Sequence, residues 1–479
     1  MFKYRFSDNR RFHSDGHDYI FLAADNTIFE MDERIHSVIS QTGLPKKFTR
    51  TQLFSSLGYD IDDQDELFSE VLKAKVIMPV NSDRHKKKFI FEDFNIDLQT
   101  LVFHVTDTCN LGCRYCYYDN AEKNPVSQKT MSYEVAKQAI DFLFEHCGSL
   151  KEVIIVFFGG EPLLNMKLIS FVVSTANKKA EEKEIKINYA LTTNATLLTE
   201  KNIDFLRKNK IGVTISIDGF EEAHDRYRCF TDGAPSYKFI LPGIKKLISN
   251  RGDKPVVARA TVAGAASNIR ERLEHLLGIG FSEAGFAPVT TGDPSYQLSV
   301  SEMDHLLEQF KDLSKTFITY AKKGDFYGFT NLVDNLVVLH EGDKKDYPCG
   351  AGLGLFSVDS SGSLYLCQRL TGHPSSRMGN VFSGFDTAAL KAFRESANIS
   401  KKKDCQTCWA RQLCAGGCYH EALVREGSLM QANYHYCQWI KEWVQTGLEV
   451  YGQLAAETPQ YLDKLSMMRG HAPLYTRPI

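Results

Sequence analysis

Six short apolar runs rich in β-branched residues constrain the fold of this chain more than any other sequence feature. Segments with helical periodicity separate them, and the runs span residues 101–106, 153–158, 187–193, 212–217, 256–262 and 283–289. A strand, a helix and a second strand in this order form a parallel βα unit. Six such units predict the α/β class and a partial (β/α)6 barrel, whose chemistry lies at the carboxyl ends of the strands.

The clearest helical segment between these runs covers residues 132–147. Its apolar residues lie on one stripe, and Gly148 follows as a helix stop. Cys147 belongs to the stripe, so we expect it in the core rather than in a reactive site.

The segments on either side of the barrel have a different composition. Residues 19–23 and 27–31 are apolar runs around the turn pair Asp25-Asn26, and three helical segments follow. This order resembles a small winged-helix domain. After residue 335, short segments rich in Gly and Cys are typical of a domain held by metal clusters. We therefore divide the chain into 1–95, 96–335, 336–455 and a polar tail at 456–479.

Composition excludes several classes of partner. The net charge is -2, which gives no sign of a nucleic acid or an anionic membrane as partner. No apolar stretch is long enough for a membrane span, and the amino-terminal residues lack the apolar core of a signal peptide. We expect a cytoplasmic protein, in which most of the 12 cysteines serve as metal ligands or reactive thiols rather than disulfides.

Three of these cysteines follow the first barrel strand. Cys109, Cys113 and Cys116 can hold three irons of a [4Fe-4S] cube and leave the fourth iron open. An incomplete zinc site is the alternative, but no fourth cysteine is nearby and His104 lies within the strand. The C-x3-C-x2-C spacing, with Tyr115 before the last cysteine, resembles the signature of the radical S-adenosylmethionine (radical SAM) superfamily. In that family the open iron binds the amino and carboxylate groups of S-adenosylmethionine.

The next strand ends match further elements of this family in order. The resemblance implies that a glycine-rich segment and a carboxylate receive the amino group of the cofactor, and that later strand ends contact its ribose, carboxylate and adenine. The implied cofactor-binding residues are Tyr115, Gly159, Gly160, Glu161, Thr193, Asn194, Ser216, Asp218 and Arg259.

The carboxy-terminal cysteines resemble the seven-cysteine SPASM domain, which holds two auxiliary [4Fe-4S] clusters. The resemblance implies one cluster on Cys405, Cys408, Cys414 and Cys437, and a second on Cys349, Cys367 and Cys418. Some relatives have an eighth cysteine six places after the first, where this chain has Leu355, so the second cluster has an open iron or a ligand other than cysteine. A zinc ribbon at Cys405 and Cys408 would explain neither the other five thiols nor the first motif.

The sequence around these ligands resembles thioether-forming maturases, namely the ranthipeptide maturases and the maturase of quinohemoprotein amine dehydrogenase. Such enzymes use a 5'-deoxyadenosyl radical to join a cysteine sulfur of a peptide to a carbon atom. The resemblance implies three [4Fe-4S] clusters and S-adenosylmethionine as cofactors, and flavodoxin or ferredoxin as electron donor. Residues 1–95 resemble the leader-recognition domain of these maturases, which implies a precursor peptide or small protein subunit as partner.

Two other functions remain open at this stage. A carbon-carbon or carbon-oxygen crosslinker, or a formylglycine-generating sulfatase maturase, would share the cluster motifs, and a zinc-stabilised binding protein would have no catalysis. Asp225 on the loop after the fourth strand is a candidate general base. Its alternative is a local ion pair with Arg226 or Arg228.

Overall fold

A computed structural model describes residues 2–55, 57–80, 96–118, 129–252, 254–264 and 268–470. The basic run at 84–88, which the sequence suggests is a linker, lies outside these residues. None of the described helices is both long and apolar enough to cross a membrane.

The amino-terminal unit contains the predicted hairpin and three helices, together with three strands that the sequence did not predict. Strands β2, β3 and β4 form an antiparallel sheet in that order, and β1 pairs with β5. The elements are β1 (Tyr4–Phe6), β2 (Asn9–Ser14), β3 (His17–Leu22), β4 (Thr27–Glu30), α1 (Glu33–Ile39), α2 (Arg50–Phe54), α3 (Ile61–Lys73) and β5 (Ile77–Pro79).

All six predicted barrel strands are present, and each pairs in parallel with the next along the chain. The strands are β6 (Thr100–His104), β7 (Glu152–Phe158), β8 (Lys186–Thr193), β9 (Gly212–Ser216), β10 (Val256–Val262) and β11 (Glu283–Pro288). The helices are α4 (Tyr133–His146), α5 (Met166–Glu182), α6 (Glu200–Lys208), α7 (Glu221–Asp225), α8 (Tyr237–Ser249), α9 (Ile269–Ile279), α10 (Val300–Lys322) and α11 (Thr330–Glu341).

The carboxy-terminal part extends the barrel sheet to ten strands. Strand β12 pairs in parallel with β6, and the following strands add to it in antiparallel order. Its elements are β12 (Leu355–Val358), β13 (Ser363–Tyr365), β14 (Arg377–Asn380), β15 (Gly384–Phe385), α12 (Thr387–Ala397), α13 (Arg411–Cys414), α14 (Tyr419–Glu426), α15 (Tyr434–Glu457) and α16 (Pro459–Arg469). The segment predicted as a polar tail therefore contains a helix, α16.

The two faces of the barrel strands differ in burial. In β7, Val153, Ile155 and Phe157 are fully buried, while the residues between them are only half-buried. Successive side chains of a strand point to opposite faces, and the buried set packs in the core with helix residues such as Leu143 and Leu168. The half-buried set therefore lies on the opposite, inner face of the barrel sheet.

Candidate functional site

The loop after β6 carries the first three thiols and is held by a distant segment. The backbone N–H of Gly112 donates to the Cys229 carbonyl at 2.8 Å, and that of Arg114 donates to the Tyr227 carbonyl at 2.9 Å. Cys229 is thus a packing residue beside the loop. Burial raises the pKa of the Cys109 thiol to about 11 and that of Cys113 to about 12. Thiols with such pKa values need a bound cation to ionise at neutral pH.

Gly159 and Gly160 are required by this loop. Gly159 has a φ of +138°, and a Cβ there would lie 2.2 Å from the Thr106 carbonyl oxygen. A Cβ on Gly160 would lie 2.2 Å from the Thr108 carbonyl oxygen. Both glycines therefore let the thiol loop approach the end of β7, which is a structural reason for a pattern that the sequence assigned to ligand contact.

The Glu161 carboxylate ties the ends of β7 and β8 together. It is 1% exposed and accepts from the Thr193 hydroxyl and the Asn194 backbone N–H, each at 2.7 Å. Burial raises its pKa to about 7, against the effect of these hydrogen bonds. The Asn194 side chain lies 3.7 Å from the Cys109 sulfur. The structure thus brings Glu161, Thr193 and Asn194 to the first thiol set.

Asp218 is engaged by three protein groups. It accepts from the Tyr115 hydroxyl, from Arg228 Nε at 3.0 Å and from the Thr261 backbone N–H at 2.9 Å. Arg228 also lies over the Tyr115 ring, 5.3 Å from its centroid. Tyr115 and Asp218 are therefore in direct contact, and the contacts seen make them a buried support for the thiol loop.

Ser216 and Arg259 lie side by side, because the parallel register of β9 and β10 pairs them. The Arg259 guanidinium points toward Gly285 of β11, where an added Cβ would lie 3.0 Å from Nη1. Burial lowers the pKa of Arg259 to about 10, and the nearby Arg369 lowers it further. Arg259 and Arg369 are therefore within electrostatic range of each other, and neither has a described salt-bridge partner.

The carboxy-terminal thiols fall into two groups. Each thiol of Cys349, Cys367 and Cys418 interacts electrostatically with at least one other of the three, and burial raises the pKa of Cys349 and Cys367 to about 12. The second group is Cys405, Cys408, Cys414 and Cys437. We refer to Cys109, Cys113 and Cys116 as the first set, to Cys349, Cys367 and Cys418 as the second set, and to Cys405, Cys408, Cys414 and Cys437 as the third set.

The donor chemistry of all three sets fits iron-sulfur clusters. Backbone N–H groups donate to the sulfurs: Leu111 to Cys109, Ala351 to Cys349 and Gly416 to Cys414. Such hydrogen bonds to sulfur tune cluster potentials. Among the described residues no group of three or more His, Cys, Asp or Glu side chains could hold a single metal ion. A four-iron cube spreads its thiolates more widely than one zinc ion does.

Two bridges connect the first set with the second. Tyr117 interacts electrostatically with both Cys116 and Cys367, and Arg369 lies 5.8 Å from the centroid of its ring. His104, which is fully buried, contacts the Tyr118 hydroxyl at 3.2 Å and the Thr371 hydroxyl at 3.0 Å. The second set therefore lies at the mouth of the barrel, beside the first.

Asp225 does not have the surroundings of a general base. Its Oδ1 atom accepts from the backbone N–H groups of Ser236 at 2.9 Å and Tyr237 at 2.8 Å. This carboxylate caps the start of α8 instead of pairing with Arg226 or Arg228, and Arg228 pairs with Asp218. We assign no catalytic step to Asp225.

Sequence reasoning assigned no role at this site to His104, Arg228 or Arg369. His104 and Arg228 lie next to known motifs but have no motif of their own. Arg369 stands two places after Cys367. A cation so close to a cluster ligand is a signal that could have identified it.

Three comparisons place these features among known proteins. The Radical SAM superfamily is matched over residues 103–276. Uncharacterized protein MJ0907 of Methanocaldococcus jannaschii is 32% identical over 59% of this chain and 89% of its own length. The cysteine-type anaerobic sulfatase-maturating enzyme of Clostridium perfringens strain 13 is 25% identical over 72% of this chain and 95% of its own. The structure of native anSMEcpe with bound AdoMet and Cp18Cys peptide matches with a TM-score of 0.63 at 21% identity, over 77% of this chain and 99% of that chain.

Proposed function

Because the chain belongs to the radical SAM superfamily, we propose that it modifies a peptide or small protein subunit by joining a cysteine sulfur of that substrate to a carbon atom. When bound, the first cluster and S-adenosylmethionine supply the 5'-deoxyadenosyl radical that removes a hydrogen atom from the substrate carbon. The protein contributes positions, charges and exclusion of water.

In this proposal the first set holds the cluster that binds S-adenosylmethionine. Glu161 in its ionised form accepts a hydrogen bond from the amino group of the cofactor. Arg259 faces the barrel interior and pairs with the cofactor carboxylate. Ser216, beside Arg259 on β9, contacts the ribose. Tyr115 and Asp218 hold the thiol loop in place through Arg228.

The position of the second set carries the proposal. It has three thiols, so a four-iron cluster on it has room for one further ligand. It lies beside the first set through Tyr117, and its Cys418 is exposed. A substrate thiolate bound at the open iron would lie at the mouth of the barrel, close to the carbon that loses hydrogen. The third set would hold a cluster that could pass the remaining electron to flavodoxin or ferredoxin.

The amino-terminal sheet is the proposed site of leader recognition. Strand β4 is at its edge and, among the described residues, pairs only with β3; Phe29 on β4 is 38% exposed. The cross-strand partner of Phe29 is Ile20, which packs in the core formed with α1, α2 and α3. A leader peptide can therefore add to β4 as a fourth strand, with side-chain contacts on the helical face.

Mass spectrometry of a cysteine-containing partner peptide tests this function. The peptide is incubated anaerobically with reconstituted enzyme, reductant and S-adenosylmethionine. Thioether formation removes the thiol hydrogen and one carbon-bound hydrogen, so we expect a loss of about 2 Da per bond and a cysteine that no longer reacts with an alkylating agent. Cys349→Ala in the second set should abolish this product, while Cys147→Ala, a core variant, should retain it.

Formylglycine formation is the second candidate, favoured by the likeness to the anaerobic sulfatase-maturating enzyme. The match covers 95% of that relative but only 72% of this chain. This chain therefore has a large part with no counterpart in that relative. Conversion of a peptide cysteine to an aldehyde, detected with a hydrazide reagent, would support this candidate over a thioether. A 2 Da loss with every thiol still alkylatable would instead indicate a carbon-carbon or carbon-oxygen bond.

A further inference from the structure

Two buried lysines lie between the second and third thiol sets. Lys345 is 4% exposed and Lys402 is 6% exposed. Lysine is almost never buried so deeply unless negative charge surrounds it. The electrostatic partners of Lys402 come from both sets: Cys405 and Cys414 of the third, and Cys349 and Cys418 of the second. Lys345 likewise interacts with Cys414 and Cys349.

The ammonium group of Lys402 has a defined place on the segment that joins the two sets. Cys414 and Cys418 belong to different sets, and Gly416 is midway between them. A Cβ on Gly416 would lie 2.6 Å from Lys402 Nζ, and the φ of Gly416 is +86°. The same Nζ lies 3.4 Å from the Gln431 carbonyl oxygen and 5.6 Å from the centroid of the Tyr419 ring. Glycine at this position therefore makes room for the cation.

Carboxylates do not account for the burial of Lys402. No described Asp or Glu forms a salt bridge with it, whereas four thiols of the two sets lie within its electrostatic range. Lys345 interacts electrostatically with Asp334 and Asp343 as well as with Cys349 and Cys414. The negative charge that compensates the buried Lys402 ammonium group therefore comes from thiolates and from the clusters that they hold.

We propose that Lys402, supported by Lys345, is a positioning residue that raises the reduction potentials of the two auxiliary clusters. A positive charge between the clusters stabilises each of them in the form that holds one more electron. Each auxiliary cluster would then accept more readily the electron that remains after substrate oxidation. This inference rests on the proposed function, because it requires clusters on both sets.

A redox titration of the full-length, anaerobically reconstituted enzyme tests the proposal. Sodium dithionite supplies the electrons, and electron paramagnetic resonance follows the reduced auxiliary clusters. Lys402→Gln removes the charge and should shift the reduction equilibrium of at least one auxiliary cluster by tenfold or more toward the oxidised form, about 59 mV for one electron. Lys402→Arg retains the charge and should restore most of the shift. Lys403→Gln changes an exposed neighbour and should cause none.

Iron content separates failure of this inference from failure of the proposed function. Full iron in Lys402→Gln with an unshifted titration would overturn the role of Lys402 and leave the clusters in place. If the wild-type enzyme binds no auxiliary iron, both proposals are wrong. If Lys402→Gln loses iron, Lys345→Met gives the second measurement: a shift in the same direction supports the proposal, and an unshifted titration overturns it. A purely structural lysine would change thermal stability without changing either potential.

Discussion

The carboxyl group of Glu161 gives the proposed cofactor site a dependence on pH. Its pKa is raised to about 7 by burial, and only its ionised form carries the negative charge that attracts the amino group of the cofactor. Affinity for S-adenosylmethionine should therefore rise with pH and be roughly tenfold weaker at pH 6 than at pH 8. Equilibrium dialysis of the reconstituted enzyme across this range measures the effect.

Glu161→Gln serves as the control for this dependence. The amide cannot ionise, so the variant should bind the cofactor weakly and with nearly constant affinity from pH 6 to pH 8. A wild-type affinity that is flat over the same range would contradict the role of the carboxylate. A parallel slope in both proteins would assign the pH dependence to another group.

We expect Asp218 to contribute mainly to the stability of the folded protein and less to binding of the cofactor. Its carboxylate is 1% exposed and accepts from Arg228, Tyr115 and the Thr261 backbone. Asp218→Asn leaves the Arg228 charge buried without its counter-charge, which should cost about 3 kcal/mol in the free energy of unfolding. Differential scanning fluorimetry should show a lower melting temperature, while Asp204→Asn at an exposed pair should change it little. An unchanged melting temperature in Asp218→Asn would contradict the supporting role.

The positions of residues that belong to a sequence motif could be predicted, but the residues that contact and support them could not. Glu161 and Asn194 follow predicted strands, so their arrival at one edge of the sheet follows from parallel pairing. Arg228 and Lys402 act through contacts with Asp218 and Gly416, which stand 10 and 14 positions away, beyond the spacing of any helix or strand pattern. No local spacing encodes such a contact. Asp225 has the carboxylate that a general base needs. It caps α8 instead, because two backbone N–H groups at the start of that helix donate to it.

At the level of elements, the amino-terminal sheet has two buried faces. Ile20 and Leu22 pack with α1 to α3, while Phe12, Tyr19 and Phe21 pack with Val444 and Leu448 of α15. Deleting residues 1–95 would expose the apolar face of α15, so the loss of this unit would disturb the rest of the protein. A test of leader binding therefore needs a change at the open edge instead of a deletion.

Phe29→Ala provides this change. Removing an exposed ring from the edge strand β4 should weaken binding of the partner peptide by about tenfold, because a partly buried aromatic side chain contributes 1 to 2 kcal/mol. Cleavage of S-adenosylmethionine without peptide should be unchanged. Fluorescence anisotropy of a labelled peptide measures binding, and Val300→Ala at another exposed apolar residue is the control. Equal loss of binding and of cofactor cleavage would speak against recognition at β4.

The accuracy of the element predictions follows the strength of the hydrophobic pattern. All six barrel strands were predicted to within two residues, since both of their faces carry apolar or β-branched side chains. Strand β2 was missed because its sequence, NRRFHS, is mostly polar and has only Phe12 and Ser14 buried. Helix α16 was missed although Tyr461, Leu462 and Leu465 are buried in the core. Its own sequence does not reveal the pairing of Arg469 with Glu283 and Asp334.

Across the whole molecule, the three thiol sets follow one another in a row. Tyr117 and Arg369 lie between the first and second sets, and Lys402 and Lys345 lie between the second and third. The sheet makes this order possible, because β12 of the carboxy-terminal part pairs directly with β6, which leads into the first set. In the proposed function, cofactor cleavage, the substrate thiol and electron exit would occupy successive positions along this order.

This order predicts that iron is lost set by set. Three four-iron clusters give about 12 irons per chain. Cys113→Ala should lose about 4 irons and all cleavage of S-adenosylmethionine, whereas Cys437→Ala in the third set should lose about 4 irons and retain cleavage without peptide. Cys147→Ala, in the core beside α4, should retain the full complement. Iron and sulfide analysis, with Mössbauer spectroscopy to count cubes, distinguishes these cases. Zinc in place of iron, or loss of all iron from a single third-set variant, would contradict three separate clusters, because independent sites lose metal independently.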